Sequence, residues 1–288
     1  MEYDNPEIPE GINVSKEHPL KEFVVLVGGV LALLFSAILI VGFAAESLAH
    51  LIPFEVEKKL TSGIDISDGD SVTPDKELEI QKYLQDLAKR IVVAQDLPKD
   101  MSIQVHYDAS DTVNAFATLG GNVMFFRGLL EKLPNENALA MVMAHEIAHI
   151  KHRHPIEGLG RAAVINIAIA AITGATDNSM LGSILGDTGL LTALSFNRDQ
   201  EKEADETALI SLNKIYGHVG GAQALFEVFD KLEADNLVHV PEFFRTHPLS
   251  KNRIENIKQT AKQNGWQTEG EVTAFPDQFD EWMSVTAD

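Results

Sequence analysis

The residues of this chain best suited to chemistry are His145-Glu146-Ile147-Ala148-His149. On a helix, side chains four apart share a face, so both imidazoles can meet one ion at about 2.0–2.1 Å. Glu146 lies beside that face, where it can reach a water without binding the ion. The arrangement offers a zinc ion (Zn2+) two neutral ligands and offers the water a general base. The lead-in Ala140-Met141-Val142-Met143-Ala144 is apolar and strongly helical, which suits a buried helix better than a histidine-rich exposed one.

Two histidines need a third ligand if one position is to stay open for chemistry. Pro155 stands where a metzincin would carry a third histidine, so the search moves to an acid on another helix. The run Asp199-Gln200-Glu201-Lys202-Glu203-Ala204-Asp205 offers several. Glu201 and Asp205 are one turn apart, so one can bind zinc while the other accepts a hydrogen bond from a ligand imidazole. Spacing alone does not separate Glu201 from Glu203. His152 and His154 end the motif helix, where the dipole favours a cation; His152, three residues from His149, leaves a stray metal contact open, and His106 and His218 read as structural or exposed. In Thr246-His247-Pro248, the proline restrains His247 to extended backbone just before a helix starting near Ser250. From there its ring can lean into a cleft.

Several elements must position these residues. A helix starts with Thr73 as N-cap and Pro74 at its first position, and Leu84, Leu87, Ala88 and Ile91 form its buried stripe. Ile103, Val105 and Tyr107 alternate as a short strand, and Val123 to Phe126 forms another after the Gly120-Gly121 turn. Helices are expected over about 135–153, 199–214, 221–234 and 250–263. The tail from Trp266 to Asp288 carries six acids and no Lys or Arg. It reads as a solvated extension unless Phe275, Phe279 and Trp282 fold it back.

Composition narrows the classes. Lys and Arg number 23 against 43 Asp and Glu, a net charge of −20 that argues against nucleic acid as a partner. No cysteine is present, which removes disulfides, iron–sulfur clusters, thiolate zinc sites and cysteine nucleophiles. An uncharged run from Phe23 to Ala45, bounded by Glu22 and Glu46, is long enough to cross a hydrocarbon core of about 30 Å. Six acids against Lys16 and Lys21 precede it, unlike the basic start of a signal peptide. It is expected to be a single uncleaved anchor. Lys16 and Lys21 on one side balance Lys58 and Lys59 on the other. A short leading tail before one span most often anchors a translocated domain, which favours a bacterial inner-membrane protein facing the periplasm. The expected organisation is an acidic tail (1–22), a transmembrane anchor (23–45), a membrane-proximal connector (46–72), a metallopeptidase domain (73–264) and an acidic tail (265–288). The stretch from 162 to 196 is weakly charged, and its longest apolar part, Ala162 to Ala175, is short for a span. It reads as amphipathic or plug-like helices near the active site or the bilayer.

Taken together, Asn114-Ala115-Phe116-Ala117, Gly120-Gly121, the His145–His149 motif, Glu201-Lys202-Glu203-Ala204-Asp205, and Thr246-His247-Pro248 with Arg253 resemble the HtpX and CAAX-prenyl-protease superfamily of zinc endopeptidases. The resemblance covers roughly residues 75–263. It implies an α+β, mainly helical fold of the gluzincin type with a small sheet, with Glu201 as third ligand and Asp205 supporting it. It also implies that the strand after Gly120-Gly121 is an edge strand, with Asn114, Gly121 and Val123 along the site where a polypeptide substrate adds by β-augmentation. His247, followed by Arg253, then belongs to the site. It serves either as an oxyanion donor or as a fourth zinc ligand that holds the enzyme off. One span and no repeat array distinguish this chain from several members of that superfamily.

The expected activity is hydrolysis of peptide bonds by one zinc ion per chain, with Glu146 taking the proton of water and returning it to the leaving amine. Quality control of envelope proteins is what the resemblance implies as a role. The alternative is a metal-binding, proteolytically idle chaperone or scaffold at the membrane.

Overall fold

In the computed structural model, residues 19–49, 51–62, 75–173, 195–224, 226–227, 243, 247 and 251–283 are described. Thr73, Pro74 and most of the helix expected over 221–234 lie outside them, as does much of 162–196.

Helix α1 (Pro19–Ala49) extends beyond both ends of the apolar run and by length and composition can cross a membrane. Its side chains are exposed almost throughout, which for Leu, Val and Phe is tolerable only in lipid or against a partner. After a turn, α2 (Phe54–Thr61) buries Phe54, Glu57 and Thr61. This part of the connector is therefore packed into the folded unit. Helix α3 (Asp75–Gln95) buries Ile80, Leu84, Leu87, Ala88 and Ile91, a stripe at helical spacing.

Strands β1 (Gln104–Asp108), β2 (Ala115–Ala117) and β3 (Asn122–Phe126) form a sheet in the order β1-β3-β2. β3 pairs parallel with β1 and antiparallel with β2. The strand after Gly120-Gly121 is thus central, not an edge, which corrects the expectation for Gly121 and Val123. The reason is the crossover that brings β1 alongside β3 and leaves β2 outside. Gly120 and Gly121 have φ of 72° and 86°, in the left-handed region. A Cβ on Gly120 would lie 2.6 Å from Thr61 Oγ1, so this turn packs directly against α2.

After the short α4 (Arg127–Leu130), α5 (Glu136–Lys151) runs through the middle of the protein, buried from Glu136 to Ile150. Asn135 caps it, its side chain accepting from Ala138 N–H at 3.0 Å. Glu136 in its first turn meets Arg90, Tyr83 and Tyr216, tying the start of α5 to α3 and α7. Helix α6 (His154–Thr173) packs along α1, with Gly42 facing Val164 and Ala49 clustering with Ile156. Helix α7 (Arg198–Tyr216) opens on a capping box between Asn197 and Gln200 and closes on Gly217 in the left-handed conformation. Helix α8 (Lys251–Gln263) packs on α7. The short α9 (Phe279–Met283) lies against α3, where Phe279 and Trp282 meet Tyr83. Among its described residues, the acidic tail is folded back through Phe275, Phe279 and Trp282, while most of its polar residues stay exposed.

Candidate metal centre

Helix α5 carries His145, Glu146 and His149, all buried, with the two histidines against α7 and Glu146 toward β2. A helix apolar around its circumference cannot face water, so any polar group on it must find partners inside. For the two histidines, those partners come from α7. His145 Nδ1 is 3.0 Å from Asp205 Oδ1, and His149 Nε2 is 3.5 Å from Glu201 Oε1.

His247 completes the cluster. Its Nδ1 lies 2.9 Å from Glu201 Oε1 and 3.2 Å from His145 Nε2, while the His145 and His149 Nε2 atoms are 3.0 Å apart. One ligand atom from each of His145, His149, Glu201 and His247 falls within 4.8 Å of the others. Tetrahedral ligands at about 2.0–2.1 Å from an ion would stand about 3.3 Å apart, close to the spacings seen here. Nitrogen lone pairs converging this closely without a proton for each contact is the arrangement a divalent cation resolves. The donor set therefore fits a metal ion.

Two side chains brace the cluster. Arg253 binds Asp205 through Nε and Nη2 at 2.9 and 2.8 Å, and its Nη1 meets Glu201 Oε2 at 2.6 Å. This fork holds both carboxylates in place from α8. Burial would raise the Asp205 carboxyl, yet the Arg253 and His145 charges hold it well below the usual carboxylate range. The balance for Glu201 likewise runs downward, with His247 and Arg253 outweighing burial. Phe196 stacks on the His149 ring, centroids 3.8 Å apart and 16° from parallel.

Glu146 stands apart from the ligand group. Its Oε2 accepts from the Ala117 N–H at 2.8 Å, and its Oε1 is 3.4 Å from His247 Nε2 with no hydrogen-bond partner among the described residues. Burial raises its pKa, more than His247, His145 and the Ala117 N–H lower it. A carboxylate so placed holds a proton readily, as a general base must. The His247 pKa is raised as well, for a different reason: burial opposes its charge, but the Glu146 and Glu201 carboxylates outweigh it.

Glu203, which spacing could not separate from Glu201, points elsewhere. It is half-exposed and meets His152 Nδ1 at 3.1 Å and His154 Nε2 at 3.4 Å. The Asn114 side chain is buried at the start of β2, and Phe126 N–H donates to its carbonyl at 3.2 Å. Val123 lies in the central strand, paired with Val105 and Ala117, and Gly121 lies in the left-handed turn that leads into it.

Sequence reasoning misses the contacts made at the turn that follows the motif helix. Arg153 follows α5 with φ of 66°, rare for a side chain, and turns the chain into α6. Its guanidinium meets Glu57 at 2.5 Å and the Ile52 carbonyl at 2.6 Å, so α2 grips the turn that follows the motif helix. The turn also brings His154 back onto His149, with their Nδ1 atoms 2.8 Å apart. A histidine five residues past a ligand is off its helical face, and only this reversal reveals the contact.

With this geometry in hand, the comparisons with known proteins are informative. Residues 77–261 match the model of peptidase family M48. The chain is 32% identical over 178 residues to the mitochondrial metalloendopeptidase OMA1 of Schizosaccharomyces pombe, covering 62% of this chain and 52% of that protein. It is 32% identical over 203 residues to a putative beta-barrel assembly-enhancing protease of Vibrio cholerae, covering 64% and 40%. The beta-barrel assembly-enhancing protease of Escherichia coli is 31% identical over 175 residues, covering 54% and 33%. The chain thus spans about half or less of the length of these relatives.

Proposed function

From the premise that this chain belongs to peptidase family M48, we propose that it is a membrane-anchored zinc endopeptidase that cuts polypeptides at the bilayer surface. The observation that carries the reading is the convergence of His145, His149, Glu201 and His247 beside a buried Glu146 with a free oxygen. Within the family, the motif set at Asn114–Ala117, Glu201–Asp205 and His247 with Arg253 supports a place beside the HtpX and CAAX-prenyl-protease type, as a bacterial member with one anchor.

Zinc, when bound by His145, His149 and Glu201, supplies Lewis acidity toward water and toward the scissile carbonyl. Asp205 and Arg253 hold those ligands in position. Glu146 accepts the proton of the attacking water at its free oxygen and passes it to the leaving amine. β2 is the edge on which a substrate adds. Its Asn114 and Thr118 bond to β3, so by antiparallel alternation the Ala115 and Ala117 backbone groups face outward. Ala117 N–H already points to Glu146, which sets the strand beside the general base.

His247 supports a closed resting state. Phe243 N–H lies 3.5 Å from the Val113 carbonyl just before β2, and His247 N–H donates to the Phe243 carbonyl at 2.9 Å. Phe243 thus reaches the start of the substrate edge while His247 reaches the ligand group, and a substrate strand has to displace both. A permanently filled fourth position would instead make the chain a metal-binding, idle scaffold. Placement of α1 in a bacterial inner membrane with the catalytic unit in the periplasm, and a role in envelope quality control, complete the proposal.

The test is cleavage of casein by the full chain in detergent, comparing wild type with Glu146→Gln, with metal content measured on both. Cleavage by wild type alone, at equal zinc, is expected. No cleavage by either, with His247 also replaced by Ala, overturns the protease reading in favour of the scaffold. For the topology, external protease should digest the domain once the outer membrane is permeabilised; protection until detergent is added would place it in the cytosol.

A further inference from the structure

The two histidines of the ligand group are held from behind in different ways. His145 turns its Nδ1 to the Asp205 carboxylate at 3.0 Å, the common support for a metal-binding imidazole. His149 turns its Nδ1 to another imidazole, that of His154, at 2.8 Å. Both rings are buried, His149 completely. Of two ring nitrogens so close, one must carry the proton and the other must accept it.

Resting on the reading that His149 binds zinc, we propose that His154 is a positioning residue for that ligand, accepting at Nδ1 the hydrogen bond that fixes the His149 tautomer. The nitrogen of His149 that faces the ligand group is Nε2, 3.0 Å from His145 Nε2. Giving its lone pair to an ion leaves the His149 proton on Nδ1, so His149 donates and His154 accepts. The His154 proton then sits on Nε2, which faces Glu203 Oε2 at 3.4 Å. The result is a three-member relay from the buried ligand to a half-exposed carboxylate. His152 steadies the outer end, its Nδ1 3.1 Å from Glu203 and its Nε2 2.9 Å from Thr207 Oγ1.

Division of labour around His149 follows. Phe196 stacks on its face and sets the plane of the ring. Stacking is blind to which nitrogen carries hydrogen, and His154 supplies that choice. The reversal at Arg153, gripped by Glu57 and the Ile52 carbonyl, delivers His154 to the right place. A merely packed residue at the start of α6 would have no need of two matched nitrogens.

The test is zinc affinity by chelator competition on the full chain in detergent, for wild type, His154→Phe and His154→Gln. Phe keeps the ring volume but cannot accept, whereas Gln offers an acceptor oxygen. His154→Phe should bind zinc roughly 10–100-fold more weakly, the usual cost of losing such a partner, and His154→Gln should recover most of that loss. The unfolding temperature of each metal-free protein is taken alongside, since a structural role would move it and leave affinity alone. Wild-type affinity in folded His154→Phe, or equal weakening in both variants, overturns the proposal. Should His154→Phe fail to fold, nitrogen-15 spectra of zinc-loaded wild type decide. A proton on His154 Nε2 supports the relay, and one on Nδ1 refutes it. A wild type that binds no zinc refutes the metal reading itself, a separate outcome from these.

Discussion

His247 Nδ1 stands 2.9 Å from Glu201 Oε1, inside the group of four side chains that could hold a metal ion. The same ring turns its Nε2 toward Glu146 at 3.4 Å. One imidazole thus reaches both the candidate ligand group and Glu146, as the proposed closed resting state requires. Replacing it with alanine should raise basal casein cleavage several-fold, with zinc content unchanged, because three ligands remain. A fall of about a hundredfold at constant zinc would instead make His247 the oxyanion donor.

Glu201 and Glu203 separate cleanly in space. Glu201→Gln should weaken zinc binding strongly, because a neutral amide is the poorer ligand and leaves Arg253 with an unpaired contact. Glu203→Gln should change zinc binding little, since an amide oxygen still accepts from the His154 ring. Metal analysis after dialysis against a weak chelator reads both. The reverse order would transfer the ligand role to Glu203.

Burial raises the pKa of Glu146, and only its ionised form can take a proton from water. The acid limb of kcat/KM should therefore lie above the ordinary glutamate value of about 4.3. Below that limb Glu146 is protonated and idle; above it the base is available. Zinc content measured at each pH separates this limb from loss of the metal. A limb at or below about pH 4, with zinc retained, would contradict the raised value. Glu146→Gln should lose about 10²–10⁴ in rate across the profile.

What can be read from the sequence is local. The spacing of His145 and His149 places both on one helical face, and the turn between Glu201 and Asp205 does the same on α7. The Leu84–Ile91 stripe marks its helix in the same way. The rest depends on contacts between distant segments. β2 has three residues, too short to show alternation, and its edge position follows from β1 crossing to pair with β3. Gly120-Gly121 announces a turn but not that α2 packs on it. His154 lies off the face of His149 until the left-handed Arg153 reverses the chain, and nothing in the residue types signals a non-glycine left-handed turn there.

The Glu57–Arg153 pair ties helix α2 to the turn that follows the motif helix. Glu57 accepts from the Gly120 N–H at 3.1 Å and meets Arg153 at 2.5 Å, while Phe54 lies under the same guanidinium. Removing one partner of such a buried pair leaves the other charge uncompensated, at a cost of about 3–5 kcal/mol. Glu57→Ala should therefore lower the unfolding temperature by roughly 10 °C in a domain of this size. A soluble fragment starting at residue 73 should suffer the same loss, because it lacks Ile52, Phe54 and Glu57 together. One starting at residue 50 keeps all three and should match the full chain. Both fragments lack α1, so the comparison isolates the connector from the membrane anchor. Thermal unfolding of the two fragments, with and without zinc, is the measurement. Equal stability would show that α2 is a passive linker and that the Arg153 turn holds itself.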